Sequence, residues 1–192
     1  MLTSITPLGE RGRGQRWGVT ATALTVGHLV GGAALGALLA GLALGIGALG
    51  DTSDSSVAIA IALAATLAVL GDLVGVAPPG RRQVDERWLN TYRGWVYGLG
   101  FGVQLGLGFV TVVNTLLFVV VVATAPLLGP GPAFGIGVVY GAGRAAMALL
   151  NGRIRSIEQL KALHRRLDET DRTIRYVSSG LVVAAGVLAV AA

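Results

Sequence analysis

The chain has 192 residues, is 53% apolar and 13% charged, and carries a net charge of +5 with a mean hydropathy of +0.71. Soluble domains hold about 25% charged residues, so this composition points away from a soluble domain and toward a membrane. The chain has no cysteine, which excludes disulfides, thiolate metal sites and thiol redox chemistry within it.

Residues 1–16, MLTSITPLGERGRGQR, carry Arg11, Arg13 and Arg16. They have the charge of a signal-peptide n-region, but the apolar stretch after them is far longer than an h-region. An uncleaved first span is expected over 17–50. It contains Gly27/Gly31, Gly32/Gly36 and Gly41/Gly45, small-xxx-small pairs that let helix backbones approach closely. Such pairs in one helix favour a packed interior position.

Residues 51–56, DTSDSS, form an acidic turn signal. A second span is expected over 57–77, ended by Pro78-Pro79-Gly80, because proline does not continue a helix. The following loop holds Arg81, Arg82, Arg87 and Arg93 beside Asp85 and Glu86. From Trp95 to Pro126 there is no Lys, Arg, Asp or Glu. A helix needs roughly 20 apolar residues to cross a bilayer, so this third span, 95–125, crosses with tilt or with a break near its Gly and Thr residues. A neutral loop, PLLGPGP, leads to a fourth span over 133–151. The longest polar segment, 152–175, precedes a last span over 176–192.

The fold expected is therefore all-α: a single polytopic membrane domain of five helices. Of the fifteen Lys and Arg, three precede span one, four lie between spans two and three, and seven lie between spans four and five. The positive-inside rule then places the N-terminus in the cytoplasm and the C-terminus outside. With fourteen Arg to one Lys, the composition suggests a GC-rich bacterial genome, hence a multi-pass protein of the bacterial inner membrane. Basic residues grouped in loops between spans are not a nucleic-acid signal.

Within 152–175, Ile154, Ile157, Leu160 or Lys161, and His164 or Leu167 recur near helical spacing, while Arg153, Arg155, Lys161, Arg165 and Arg166 crowd the polar side. A basic amphipathic helix on anionic lipid gains about 1 kcal/mol per basic residue, so these five form a candidate lipid-facing patch. A solvated linker helix is the equal alternative. His164 reads as a surface residue.

Five polar residues inside the apolar spans form a candidate pathway: His28, Asp72, Gln104, Asn114 and Arg144. Gly71-Asp72 followed by Gly80-Arg81 matches Gly143-Arg144 followed by Gly152-Arg153 in spacing. Charges in a membrane are relieved by pairing, so Asp72 and Arg144 are expected to face each other or a shared wet cavity; the alternative is that each snorkels to the inner interface. His28 is expected to hydrogen-bond across helices, Gln104 being the partner at similar depth. Thr111, Asn114 and Thr115 suit interhelical hydrogen bonds. No catalytic triad or P-loop is present, and no enzyme activity, cofactor or metal is expected.

The segments ITPLGERGRG, WVYGLGFGVQLGLGFVTVVNTLLFVVVVATA and GIGVVYGAGRAAMALL resemble the transmembrane thiol-disulfide interchange family of cytochrome c biogenesis, the CcdA and DsbD type. That resemblance implies six spans in two inverted halves, each beginning with a helix broken at a Pro-Cys element whose cysteines pass electrons. This sequence reads Phe109-Val110-Thr111-Val112 where the second Pro-Cys pair is due, and Met1 stands where that family's first helix has just ended. The relay residues do not carry over, and either a start set too late in a six-span fold or a natural five-span, cysteine-free relative is expected. Three functions follow. The first is a small transporter or transport-associated subunit. The second is a structural subunit or assembly factor, packing on a membrane partner or a second copy through its Gly-rich faces. The third is an electron-transfer protein whose cysteines lie on a missing N-terminal helix or a partner.

Overall fold

A computed structural model of the chain describes residues 5–49, 54–76, 85, 87–108, 116–166, 169, 170, 173 and 177. Every element among them is helical: α1 Pro7–Gly12, α2 Trp17–Leu49, α3 Asp54–Val74, α4 Trp88–Thr91, α5 Gly94–Leu107, α6 Leu116–Thr124 and α7 Pro130–Leu150. A further helix, α8, covers 157–166.

Three helical stretches are long and apolar enough to cross a membrane: Trp17–Ala48, Val57–Val74 and Pro130–Arg153. Their outward surfaces are apolar as well. Leu38, Leu42, Leu63, Leu67 and Val139 are all more than half exposed. A helix that stays hydrophobic on its outer side as well as its packed side suits lipid rather than water. At 1.5 Å per residue, α2 is roughly 50 Å long.

The expected third span is not one helix. α5 ends at Leu107, where Gly108 takes a left-handed backbone (φ +73°), and α6 starts at Leu116. Its physical cause is legible at both ends: glycine tolerates the positive φ that stops α5, and a side chain from α3 caps the first amides of α6. Residues 109–115, with Thr111, Asn114 and Thr115, lie outside the described residues, as does the expected fifth span apart from Val177.

α2 is the central post, packed on one side by α5 and on another by α7, while α3 packs chiefly on α6. Glycine sets these contacts. A Cβ at Gly27 or Gly31 would run into the α5 backbone at Gly102 and Gly106; one at Gly32 or Gly36 would run into the α7 backbone between Phe134 and Gly141. Two of the three small-residue pairs thus seat different neighbours on adjacent faces of one helix. At the third pair, Gly41/Gly45, an added Cβ would meet nothing within 4 Å among the described residues.

The end of the bundle where α2 begins is closed by α1. Thr6 caps this short helix, its Oγ1 accepting from the Gly9 N–H at 3.1 Å. Ile5 joins Leu24, Tyr97, Phe101 and Ala148 in a buried cluster that Trp17 and Trp88 border.

Candidate functional site

His28 lies at the crossing of three helices. It is fully buried. Its carbonyl oxygen is touched from both sides by glycine: a Cβ at Gly106 of α5 or at Gly141 of α7 would lie 2.5 Å from it. The ring is held by its own helix rather than by a neighbour. His28 Nδ1 is 2.7 Å from the Leu24 carbonyl oxygen, which only accepts, so Nδ1 carries a proton and donates. Nε2 is then left buried and, among the described residues, without a hydrogen-bond partner. In the neutral ring it presents a lone pair. Gln104, the expected partner, is half-buried on α5, and no hydrogen bond joins it to His28 among the described residues.

Arg144 of α7 lies within electrostatic reach of His28 and of Tyr140. Its Nε is also buried and has no hydrogen-bond partner among the described residues. Tyr140 stands one turn before Arg144 on the same face of α7 and connects this pair to the helix break. A Cβ at Gly108 would lie 3.2 Å from the Tyr140 hydroxyl, and Tyr140 packs on Phe118 of α6 with ring centroids 4.8 Å apart. Tyr140 and Arg144 are themselves half-buried; they link His28 to the left-handed end of α5 through the Arg144 charge and the Tyr140 ring.

Asp72 is placed differently from the expectation. It is buried near the end of α3, and its Oδ1 accepts from the Leu116 N–H at 2.7 Å while Oδ2 accepts from the Leu117 N–H at 3.4 Å. This is a carboxylate on the positive end of a helix, a favourable electrostatic contact. No ion pair joins Asp72 to Arg144 among the described residues. The matched spacing of the two segments ran along the chain, but α3 packs on α6 whereas α7 packs on α2.

A third polar group was not foreseen. Glu10 of α1 is fully buried. Its carboxylate accepts from Thr20 Oγ1 at 2.6 Å, from the Tyr97 hydroxyl at 2.6 Å, and pairs with Arg13 at 2.6 Å. The Arg13 guanidinium also lies 6.0 Å from the Tyr97 ring centroid. Burial acts to lower the Arg13 pKa, but the hydrogen bonds to Glu10 and Tyr97 outweigh it and raise the value above its ordinary range. Gln15 adds a parallel tie, its Oε1 accepting from the Gly94 N–H at 3.0 Å. The network fixes α1 across the starts of α2 and α5. Its only advance signal is an acid in a segment otherwise rich in Arg, which does not reveal partners ten and 87 positions away.

The basic residues Arg153, Arg155, Lys161, Arg165 and Arg166 are all exposed. α8 begins with a capping arrangement: Ser156 Oγ accepts from the Gln159 N–H at 3.3 Å, and Gln159 Oε1 accepts from the Arg155 N–H at 2.7 Å. His164 is exposed, its Nδ1 donating to the Leu160 carbonyl at 2.9 Å. Among the described residues no three His, Asp or Glu side chains come close enough to hold a metal ion. Comparisons with protein families, curated proteins and solved structures give no match to this chain.

Proposed function

We propose that this chain is a multi-pass protein of the bacterial inner membrane that serves transport, as a small transporter or a transport-associated subunit, and that His28, Arg144 and Asp72 belong to its working region. The observation that carries the reading is the end of α5 at Gly108, whose backbone is left-handed, beside buried polar groups. A helix that ends at membrane depth is tolerated where that end is packed in protein or lines a cavity, and such helix ends are where secondary transporters place their sites. Two buried polar atoms without hydrogen-bond partners among the described residues, His28 Nε2 and Arg144 Nε, are what a small polar solute, an ion or a proton would engage. In this reading the chain is a cysteine-free relative of the thiol-disulfide interchange family that moves a solute instead of electrons.

The topology proposed is five spans with the N-terminus inside. Trp17 meets Gly152, and Gln15 meets Gly94, so Arg11, Arg13, Arg16, Arg93, Arg153 and Arg155 gather at one end of the bundle. That gathering supports the positive-inside assignment. Because the chain lacks cysteine, single cysteines report cleanly: Ser53→Cys and Leu128→Cys are expected to react with an impermeant maleimide from outside, and Arg155→Cys only after the membrane is opened.

The functional test is complementation of a deletion strain's growth defect. Wild type restores growth, while Asp72→Asn and Arg144→Ala, inserted at wild-type levels, do not. Full complementation by both variants overturns the transport reading. One observation favours the structural-subunit reading instead, the open Gly41/Gly45 face. Under it, Gly41→Ile with Gly45→Ile breaks complementation while Arg144→Ala leaves it intact.

A further inference from the structure

A cleft of about 280 Å³ opens at the basic end of the bundle, lined by Pro7, Leu8, Arg11, Trp17, Gly152 and Arg155. It brings together three parts of the chain that the sequence keeps apart: α1, the first residue of α2 and the turn after α7. Its two cations are presented from anchored backbone. Arg11 follows Glu10, whose buried carboxylate fixes α1. Arg155 follows Ile154, which is 4% exposed, and its own N–H is held by Gln159. Among the described residues neither guanidinium is in an ion pair. Glu10, the acid next to Arg11, turns to the opposite side and is engaged with Arg13. The open side of the cleft is therefore cationic, with an indole wall and an apolar rim.

We propose that this cleft binds the phosphate of an anionic phospholipid headgroup. Two guanidiniums present N–H forks that match phosphate oxygens. Trp17 stands at the first residue of a long apolar helix, where amphipathic rings mark the headgroup level. The surface leading away from the cleft is apolar: Val19, Leu149 and Leu150 are about half exposed, so an acyl chain has a path along α2 and α7. A free phosphate has no use for that path, which is why the lipid is the occupant assigned. Gly152 keeps the pocket open, since a Cβ there would lie 3.3 Å from Trp17 Nε1. The proposal rests on the membrane reading above and is independent of what, if anything, is transported.

The test uses the full chain in detergent, titrated with phosphatidylglycerol, phosphatidylcholine or inorganic phosphate and followed by native mass spectrometry. Wild type is expected to retain phosphatidylglycerol over phosphatidylcholine. Arg11→Gln with Arg155→Gln should weaken phosphatidylglycerol retention roughly tenfold or more and leave phosphatidylcholine unchanged. Lys161→Gln with Arg165→Gln removes the same charge from α8 and should have little effect. Gly152→Leu, which keeps both cations but fills the pocket, should also lose retention. Equal loss in the α8 pair, or no loss in the cleft pair and in Gly152→Leu, overturns the proposal. So does displacement of the lipid by millimolar inorganic phosphate, which would make the site one for the free anion. A failure of the membrane reading looks different: the protein then fails to enter lipid nanodiscs at all.

Discussion

The Tyr97 hydroxyl lies 2.6 Å from both carboxylate oxygens of Glu10, a residue 87 positions earlier in the chain. Both residues are fully buried, so this contact ties the short α1 to the start of α5 where water does not compete. Removing one partner of a buried hydrogen bond costs about 1–3 kcal/mol, because the other loses its solvation as well. Tyr97→Phe is therefore expected to lower stability by that amount. Glu10→Ala should cost more, since it strands Thr20, Arg13 and Tyr97 together. Thermal unfolding of the purified protein in detergent checks the order, and a Glu10→Ala protein as stable as wild type would refute it.

Asp72 offers a separate measurement. Its carboxylate caps α6, and loss of an N-cap typically costs about 1 kcal/mol. Asp72→Ala is expected to destabilise by about 1–2 kcal/mol, whereas Asp72→Asn keeps an acceptor for the Leu116 N–H and should cost only a few tenths. A transport defect in Asp72→Asn without a matching stability loss would separate the role of the charge from that of the cap. Equal destabilisation by Asn and Ala would contradict the capping geometry.

The glycines divide into two classes with opposite expectations. At Gly32 an added Cβ would lie 2.7 Å from Gly141 Cα, and at Gly106 it would lie 2.5 Å from the His28 carbonyl. Helix backbones must separate to admit it, at about 1–3 kcal/mol for overpacking. Among the described residues Gly41 and Gly45 face open space, so alanine there is expected to gain helix propensity of up to about 1 kcal/mol. Unfolding curves for Gly32→Ala, Gly106→Ala and Gly41→Ala check this; a destabilised Gly41→Ala would reveal a contact made by another chain.

Much of the helix layout was legible because helices long and apolar enough to cross a membrane are written in length and apolarity. The expected spans 17–50, 57–77 and 133–151 correspond closely to Trp17–Leu49, Asp54–Val74 and Pro130–Leu150. Two of the three glycine pairs expected to pack, Gly27/Gly31 and Gly32/Gly36, do so, since backbone contact requires the absence of a side chain; Gly41/Gly45 does not among the described residues. What did not show was which helix meets which. Asp72 and Arg144 share a local text but sit on helices with different neighbours. His28 bonds its own turn at Leu24, a local option that a search for cross-helix partners overlooks. Glu10 finds its partners only through tertiary placement.

Gly108 ends α5 with φ +73° and sits against two rings. A Cβ there would lie 2.5 Å from Phe118 Cζ and 3.2 Å from the Tyr140 hydroxyl. Gly108→Ala therefore combines a left-handed conformation costing about 1–2 kcal/mol for an L-residue with a clash that pushes Tyr140 away from its place one turn before Arg144. The expected outcome is a stability loss of about 2–4 kcal/mol from the two effects together, and loss of complementation if the break serves transport. Tyr140→Phe provides the contrast: it retains the ring packing on Phe118 and relieves part of the crowding at the hydroxyl. The double variant Gly108→Ala/Tyr140→Phe should accordingly recover stability relative to Gly108→Ala alone. Strict additivity of the two substitutions in unfolding experiments would mean that the tyrosine and the helix end do not touch, and the connection between the break and the buried His28–Arg144 region would be lost.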